Sequence, residues 1–335
     1  MASSPVGKLT WPKKTMHAHP PRDPAFAEGA AYVDGEFCPI SEAKLPLLDW
    51  GFLRSDACQE TVSAWDGKFF RLQDHLDRFD RSLQRLRMIS PEADGRIREI
   101  VHGLVASCGF ADAYVQIIMT RGRPPIGSRD IRLCKNRFQA FCMPYMWVAK
   151  PEDQERGLRL FVSKRVRVPS ASVDPLVKHY HWLDFEMSLL DGFDAGAETV
   201  VLVDLHGNVT EGPGFNIFAD VGGMIVTPAA GVLDGMTRRT TLELCTELGL
   251  RAAPGTLSEA DLLGAHEIFL TTTAGGIVPI TRIGEHVVGQ GSPGPKTARI
   301  HGAYWSRRAE GWHGEPVRYG TRPARQQAEG DNVKV

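Results

Sequence analysis

The chain has 335 residues, 42% hydrophobic and 24% charged, a globular balance that excludes disordered, collagen-like and coiled-coil classes for its bulk. At roughly 150 residues per domain it has length for about two domains. Its 39 basic and 40 acidic residues leave a net charge of -1, so no global basic field recruits nucleic acid or anionic lipid.

Along the chain, residues 1–24 read as an irregular arm rich in Pro, Lys and His, with no apolar segment of a secretory signal. A small N-terminal α/β domain is expected over 25–148. Within it Asp74 is predicted to cap a helix whose Leu76, Phe79, Leu83 and Leu86 share one face, with Arg78 beside that face. A second helix is predicted over 91–107, a strand over 113–120 and an Arg/Pro/Gly loop over 121–130. The longest apolar run, Ala140 to Ala149, is broken by Pro144 and is far shorter than the ~20 residues of a membrane span. The charged stretch after it makes 149–157 the expected linker to a large C-terminal domain, 158–318. There, strands are predicted over 158–168 and 199–204, turns at His206-Gly207 and Gly222-Gly223, and a helix over 236–248 that stops at Gly249. Residues 319–335 read as a polar tail. Strands and helices mixed in two blocks predict an α+β fold. Six scattered cysteines without a C-x-x-C pair predict reduced thiols and a cytoplasmic protein.

Several motifs fail their context. G-x-G-x-x-G occurs at 289–294, but a hairpin-like stretch precedes it and two prolines straddle its last glycine, so a surface loop is expected rather than a nucleotide site. His179 and His181 lack a third ligand, and no metal site is expected. No G-x-S-x-G elbow is present. What remains could manage a phosphate and a reactive amine. Lys178 follows a turn among apolar residues, where burial would free its amine for Schiff-base chemistry. Glu211 precedes a tight glycine turn suited to a planar ligand. Gly235-Met236-Thr237-Arg238 opens a helix whose free N–H groups favour an anion. Thr271 to Gly276 ends a strand in hydroxyls and glycines.

In this order, Arg78, Lys178, T-E-G-P-G-F-N at 210–216, G-V-L-D-G-M-T-R at 231–238 and T-T-A-G-G at 272–276 resemble the fold-type IV pyridoxal-phosphate aminotransferases. That group includes branched-chain and D-amino-acid aminotransferases and aminodeoxychorismate lyases. The resemblance spans about Tyr32 to Trp305. L-D-W-G-F at 48–52, W-D-G-K-F-F-R-L at 65–72, Asp174-Pro175, Trp182 and G-G-I-V-P-I at 275–280 are most similar to the (R)-selective amine transaminases.

The resemblance implies a two-domain fold with pyridoxal 5′-phosphate in a cleft between lobes, a homodimer whose sites take a loop from the partner, and no nucleic-acid or membrane partner. It implies amino transfer from a primary (R)-amine to a keto acid such as pyruvate, through a lysine Schiff base and pyridoxamine phosphate. Branched-chain or D-amino-acid transamination is the alternative, and aminodeoxychorismate lyase activity a further one. By the same resemblance Lys178 is catalytic, Glu211 faces the pyridine nitrogen, and Arg78, Met236, Thr237, Thr272 and Thr273 hold the cofactor. Arg129 matches a mobile loop arginine that pairs with substrate carboxylates, a solvated loop arginine being the other reading. Arg54, Gln59, Thr61, Gln116, Trp182 and Ala274 fall at substrate-binding positions. Arg54, Gln59, Thr61 and Gln116 depart from the His, Tyr, Val and Glu usual in (R)-amine enzymes, and predict a more polar pocket.

Overall fold

The computed structural model describes residues 7–15, 21, 23–93 and 95–320. Residues 1–6, 16–20 and 22 of the expected arm, and 321–335 of the expected tail, lie outside the described residues.

Strand alternation builds a first, antiparallel sheet. It contains β1 (Ala30–Val33), β2 (Glu36–Pro39), β3 (Ala57–Trp65), β4 (Lys68–Phe70), β5 (Ala113–Arg123) and β6 (Lys135–Pro144), in the order β4-β3-β5-β6-β1-β2. On β3, Cys58, Val62 and Ala64 join the core while Gln59 and Thr61 line a cavity on the opposite face, the period of two of a strand. After the short α1 (Trp50–Arg54), α2 (Leu72–Leu86) and α3 (Arg96–Cys108) supply that core.

Three boundaries differ from the sequence reading, each for a local reason. α2 begins at Leu72, because Arg71 takes a left-handed N-cap conformation (φ 52°). Asp74 is therefore not the cap; it sits in the first turn, where the helix dipole favours a carboxylate, and accepts from Arg71 Nη1 at 2.9 Å. The predicted stripe holds, with Phe79 and Leu83 buried and Leu76 and Leu86 packed on the same core. α3 starts at Arg96 rather than 91, since Gly95 supplies a φ of 79° there and the Glu92 N–H is tied back to Ser90 Oγ at 3.1 Å. β5 continues to Arg123 through a bulge at Gly122 (φ +72°), where a Cβ would lie 1.8 Å from the Lys135 carbonyl oxygen.

The stretch read as a linker holds α4 (Pro151–Arg156), whose buried Gln154 donates Nε2 to the carbonyls of Ala149 at 2.8 Å and Gly275 at 3.2 Å. The second sheet is mixed, in the order β12-β11-β10-β13-β14-β7-β8, with β9 on β10 and β15 on β14. Its strands are β7 (Leu158–Val166), β8 (Thr199–Val203), β9 (Glu211–Gly212), β10 (Phe215–Val221), β11 (Met224–Pro228), β12 (Ala252–Gly255), β13 (Ile268–Thr272), β14 (Gly276–Ile283) and β15 (His286–Val287). Between them run α5 (Leu183–Asp194), α6 (Met236–Glu247) and α7 (Glu259–Leu263). Gly222 and Gly223, with φ of 56° and 82°, make the predicted two-residue hairpin between β10 and β11.

The G-x-G-x-x-G run leads into α8 (Pro295–Glu310), but the chain fills that helix terminus itself. Glu267 accepts from the Lys296 N–H at 3.0 Å and the Thr297 N–H at 2.7 Å, the position a phosphate would need. The chain then returns to the first sheet, where β16 (Gly314–Pro316) pairs with β4. Trp65 and Phe70 of the first sheet share a core with Phe218, Phe269, Tyr304 and Trp305, so the two sheets meet through packed aromatics. The architecture is the expected α+β, with a cavity between the sheets.

Candidate active site

The cavity, about 600 Å³, takes its walls from β3, β5, the segment 146–148, the turn around Lys178, β9 and its following loop, the start of α6 and the end of β13. Backbone pairing holds Lys178 there. The Gln59 N–H donates to the Lys178 carbonyl at 2.9 Å, and Cys58 bridges His179, which stitches the lysine turn to β3. The Lys178 side chain is half-buried, and burial lowers its proton affinity; Glu60 and Glu211 oppose the fall and Arg78 adds to it.

Glu211, buried on β9, accepts from the Leu233 N–H at 2.8 Å and Asn216 Nδ2 at 3.4 Å. Burial raises its pKa, while Arg167, whose Nε lies 3.6 Å from Glu211 Oε1, pulls the other way. Arg167 is itself held by Asp184 at 2.7 Å and stacked on Phe185, and its Nε is buried without a hydrogen-bond partner.

The anion-binding end combines Arg78, α6 and the β13 terminus. Arg78 Nη1 donates to the Asp234 carbonyl at 2.6 Å, next to the α6 N-terminus, where the first-turn N–H groups have no acceptor within the helix. Gly235 is required there, because a Cβ would lie 2.1 Å from Asn216 Oδ1. Met236, Thr237, Thr272, Thr273 and Ala274 line the same cavity. Their turn is tied to the cavity wall by Tyr145 donating to the Thr273 carbonyl at 3.0 Å and the Val148 N–H to the Ala274 carbonyl at 2.7 Å.

The face that β3 and β5 give the cavity is polar but uncharged. Gln116 pairs across the strands with Thr61, and its Nε2 donates to Gln59 Oε1 and, at 2.9 Å, to the Tyr180 hydroxyl. That leaves the Gln59 amide N–H and the Tyr180 hydroxyl proton as donors this wall can offer. Trp182 lines the cavity too.

Two expected substrate residues are not brought in. Arg54 is exposed, stacked on Trp50 at 3.5 Å, and lines a separate hollow of about 420 Å³ that shares Val177 and His179 with the main cavity. Arg129 is exposed on the loop between β5 and β6 and outside the cavity. Arg54 ends α1 just before β3, and Arg129 lies in the loop between β5 and β6, so neither is on a strand that lines the cavity. His179 and His181 meet edge to face, with ring centroids 5.3 Å apart, and His179 Nδ1 accepts from the His181 N–H. Sequence reasoning missed Glu60, His75, Tyr114, Arg167 and Tyr180. Only Glu60 left a signal, a carboxylate on the core-facing side of β3 otherwise occupied by Cys58, Val62 and Ala64.

The donor set fits pyridoxal phosphate. An open helix terminus and a guanidinium suit a phosphate, the buried Glu211 has its nearest guanidinium nitrogen at 3.6 Å and would accept a pyridinium N–H, and the lysine amine lines the same cavity.

The family profile of amino-transferase class IV matches residues 57–283. A protein of Methanocaldococcus jannaschii with a provisional branched-chain-amino-acid aminotransferase name is 30% identical over 80% of this chain and 93% of its own. The D-alanine aminotransferase of Bacillus licheniformis is 25% identical over 81% of this chain and 94% of its own. The branched-chain amino acid aminotransferase of Thermoproteus uzoniensis, solved with norvaline, superposes with a TM-score of 0.78 at 26% identity, covering 86% of this chain and 99% of that one. Another branched-chain amino acid aminotransferase, solved with pyridoxamine 5′-phosphate, superposes with a TM-score of 0.79 at 25% identity over 87% of this chain.

Proposed function

The chain belongs to the class IV aminotransferases, and on that footing we propose that it moves an amino group from a primary (R)-amine to a keto acid such as pyruvate. Enzymes of this family use pyridoxal 5′-phosphate, which when bound supplies an aldehyde that exchanges amines and a ring that accepts electron density from the substrate carbon.

The chain's own residues do the remaining work. Lys178 Nζ, its proton affinity lowered by burial, holds the cofactor and then carries a proton from the amine-bearing carbon. Glu211 keeps the ring nitrogen protonated, and Arg167 keeps Glu211 ionised against the effect of burial. Arg78, the first N–H groups of α6 and the Thr272 and Thr273 hydroxyls hold the phosphate. Trp182, Ala274 and the Gln59–Gln116–Tyr180 wall orient the substrate. The observation that carries the reading is the meeting, in one cavity, of a lysine, a buried carboxylate and an anion-binding end.

The (R)-amine choice rests on the likeness of segments 48–52, 65–72 and 275–280, and on the charge of the pocket. Both guanidiniums that line the cavity, Arg78 and Arg167, are engaged by carboxylates, so a donor without a carboxylate leaves no buried cation unpaired. Transamination of an amino acid is the second reading, favoured by the branched-chain and D-alanine names of the relatives. The division into lobes 25–148 and 158–318 about 149–157, and a homodimer in which Arg54 and Arg129 reach the cavity of a second copy, are part of the proposal. So is a cytoplasmic location, supported by six unpaired cysteines.

The test offers (R)-1-phenylethylamine, D-alanine and L-leucine separately to the holoenzyme and follows its visible absorbance. Bleaching by the (R)-amine, with colour restored by pyruvate, is the expected result. Rapid turnover of L-leucine alone overturns the substrate assignment, and pyruvate release without an amino acceptor indicates a lyase. Lys178→Ala should abolish all of these reactions.

A further inference from the structure

Glu60 has no part in the scheme above, yet from the core side of β3 it holds Arg78, which does line the cavity. It is fully buried on the core-facing side of β3. Its Oε2 accepts from Arg78 Nε at 2.7 Å, and its Oε1 from Arg78 Nη2 at 2.6 Å, His75 Nδ1 at 2.9 Å and the Thr61 N–H at 3.0 Å. With Arg78 Nη1 on the Asp234 carbonyl, three nitrogens of the guanidinium are fixed, and its orientation at the anion-binding end is set before any ligand arrives.

The charge of this cluster is equally defined. Burial raises the proton affinity of Glu60, but Arg78 and His75 outweigh it, so the carboxyl is held well below its usual range and stays ionised. Burial lowers the pKa of His75, which keeps that imidazole neutral at neutral pH, a hydrogen-bond donor without charge. Glu60 and Arg78 thus cancel as a pair. The charged groups acting on the Lys178 amine are Glu60, Arg78 and Glu211, with His75 and His179 as its titratable neighbours.

We propose that Glu60, oriented by His75, is a positioning residue for amino transfer: it fixes Arg78 for the phosphate, and its charge acts on Lys178 from the strand position next to Gln59, whose N–H holds the Lys178 carbonyl at 2.9 Å. This rests on the roles given above to Lys178 and Arg78. Its physical basis is that a carboxylate buried in the low-dielectric interior acts strongly on a nearby amine, and that a bidentate partner removes the rotational freedom of a guanidinium.

Two variants separate charge from reach. Glu60→Gln keeps the shape and removes the charge, and it gives up one of the two Arg78 hydrogen bonds, because either carboxylate oxygen that becomes NH2 faces an Arg78 N–H. The pH midpoint of the holoenzyme's visible absorbance should then fall by about one unit, a tenfold change in proton affinity. Glu60→Asp keeps the charge and withdraws it by one methylene. Its midpoint should stay in place while the dissociation constant for pyridoxal phosphate, measured by equilibrium dialysis, rises about tenfold. A midpoint that stays or rises in Glu60→Gln overturns the charge role, and an unchanged dissociation constant in Glu60→Asp overturns the positioning role. If Glu60→Gln does not fold, Glu60→Asp decides the proposal. Lys178→Ala is the control: a titrating band that survives in it refutes the Lys178 assignment itself, whereas its loss there together with an unmoved band in Glu60→Gln refutes only the inference about Glu60.

Discussion

Glu211 is pulled in two directions, raised in pKa by burial and held down by the Arg167 guanidinium 3.6 Å away. Replacing Arg167 by Gln removes the opposing charge, so Glu211 gains a proton at higher pH. The acid limb of the pH–activity profile should move to higher pH, and kcat should fall about tenfold near neutrality. An unmoved acid limb would exclude Arg167 from this role. Gly235→Ala tests the anion-binding end, since its Cβ would strike Asn216 Oδ1, and Asn216 Nδ2 holds the Leu233 carbonyl at 3.0 Å. Fluorescence titration of the variant should show weaker binding of pyridoxal phosphate, by about tenfold, with the fold retained. Lys178, Glu211 and Gly235 were legible in the sequence because each stands in a turn or helix-start motif whose geometry is local. Arg167 was not, because its relation to Glu211 exists only after β7 and β9 are assembled in one sheet.

The α6 terminus and the N-terminal segment show how elements divide the labour. α6 presents its open first turn to the cavity because Gly235, an N-cap without a side chain, leaves the N–H groups uncapped. Within residues 7–15, Gly7 and Trp11 pack against α8. There Trp11 meets His301 at 4.5 Å and Trp147 at 5.8 Å, and Trp147 lines the cavity. His301 is fully buried, and burial lowers its pKa to about 4. The unfolded chain therefore takes a proton there below about pH 6.5 and the native chain only near pH 4, so stability falls as pH drops through that window. The loss is up to about 3 kcal/mol. His301→Phe, which suits the aromatic surroundings, should flatten the dependence of Tm on pH between about 7 and 4.5; a parallel slope would place the acid sensitivity elsewhere. The stripe of α2 could be read from spacing alone, whereas its first residue could not, because Arg71 is held at a positive φ with its side chain bound to Asp74 and Glu243, the latter a distant residue of α6.

In the whole molecule, two marked arginines, Arg54 and Arg129, lie outside the cavity of their own chain. If a second copy receives Arg129, subunits carrying Lys178→Ala and Arg129→Ala complement each other. Random mixing of the two inactive variants would regain about one quarter of wild-type activity, because half the dimers are mixed and each mixed dimer has one intact site. No recovery on mixing would refute the shared site. What the sequence determined by itself was the order of cofactor motifs, the α+β blocks and the helix and turn chemistry, all set by residues near one another in the chain. The tertiary structure decided which marked residues share a cavity and which lie outside it. It also supplied Glu60 and Arg167 as partners to Arg78 and Glu211. The reason is physical: the free energy of a buried charge depends on what stands beside it in space, and strand register, not sequence distance, chooses that neighbour.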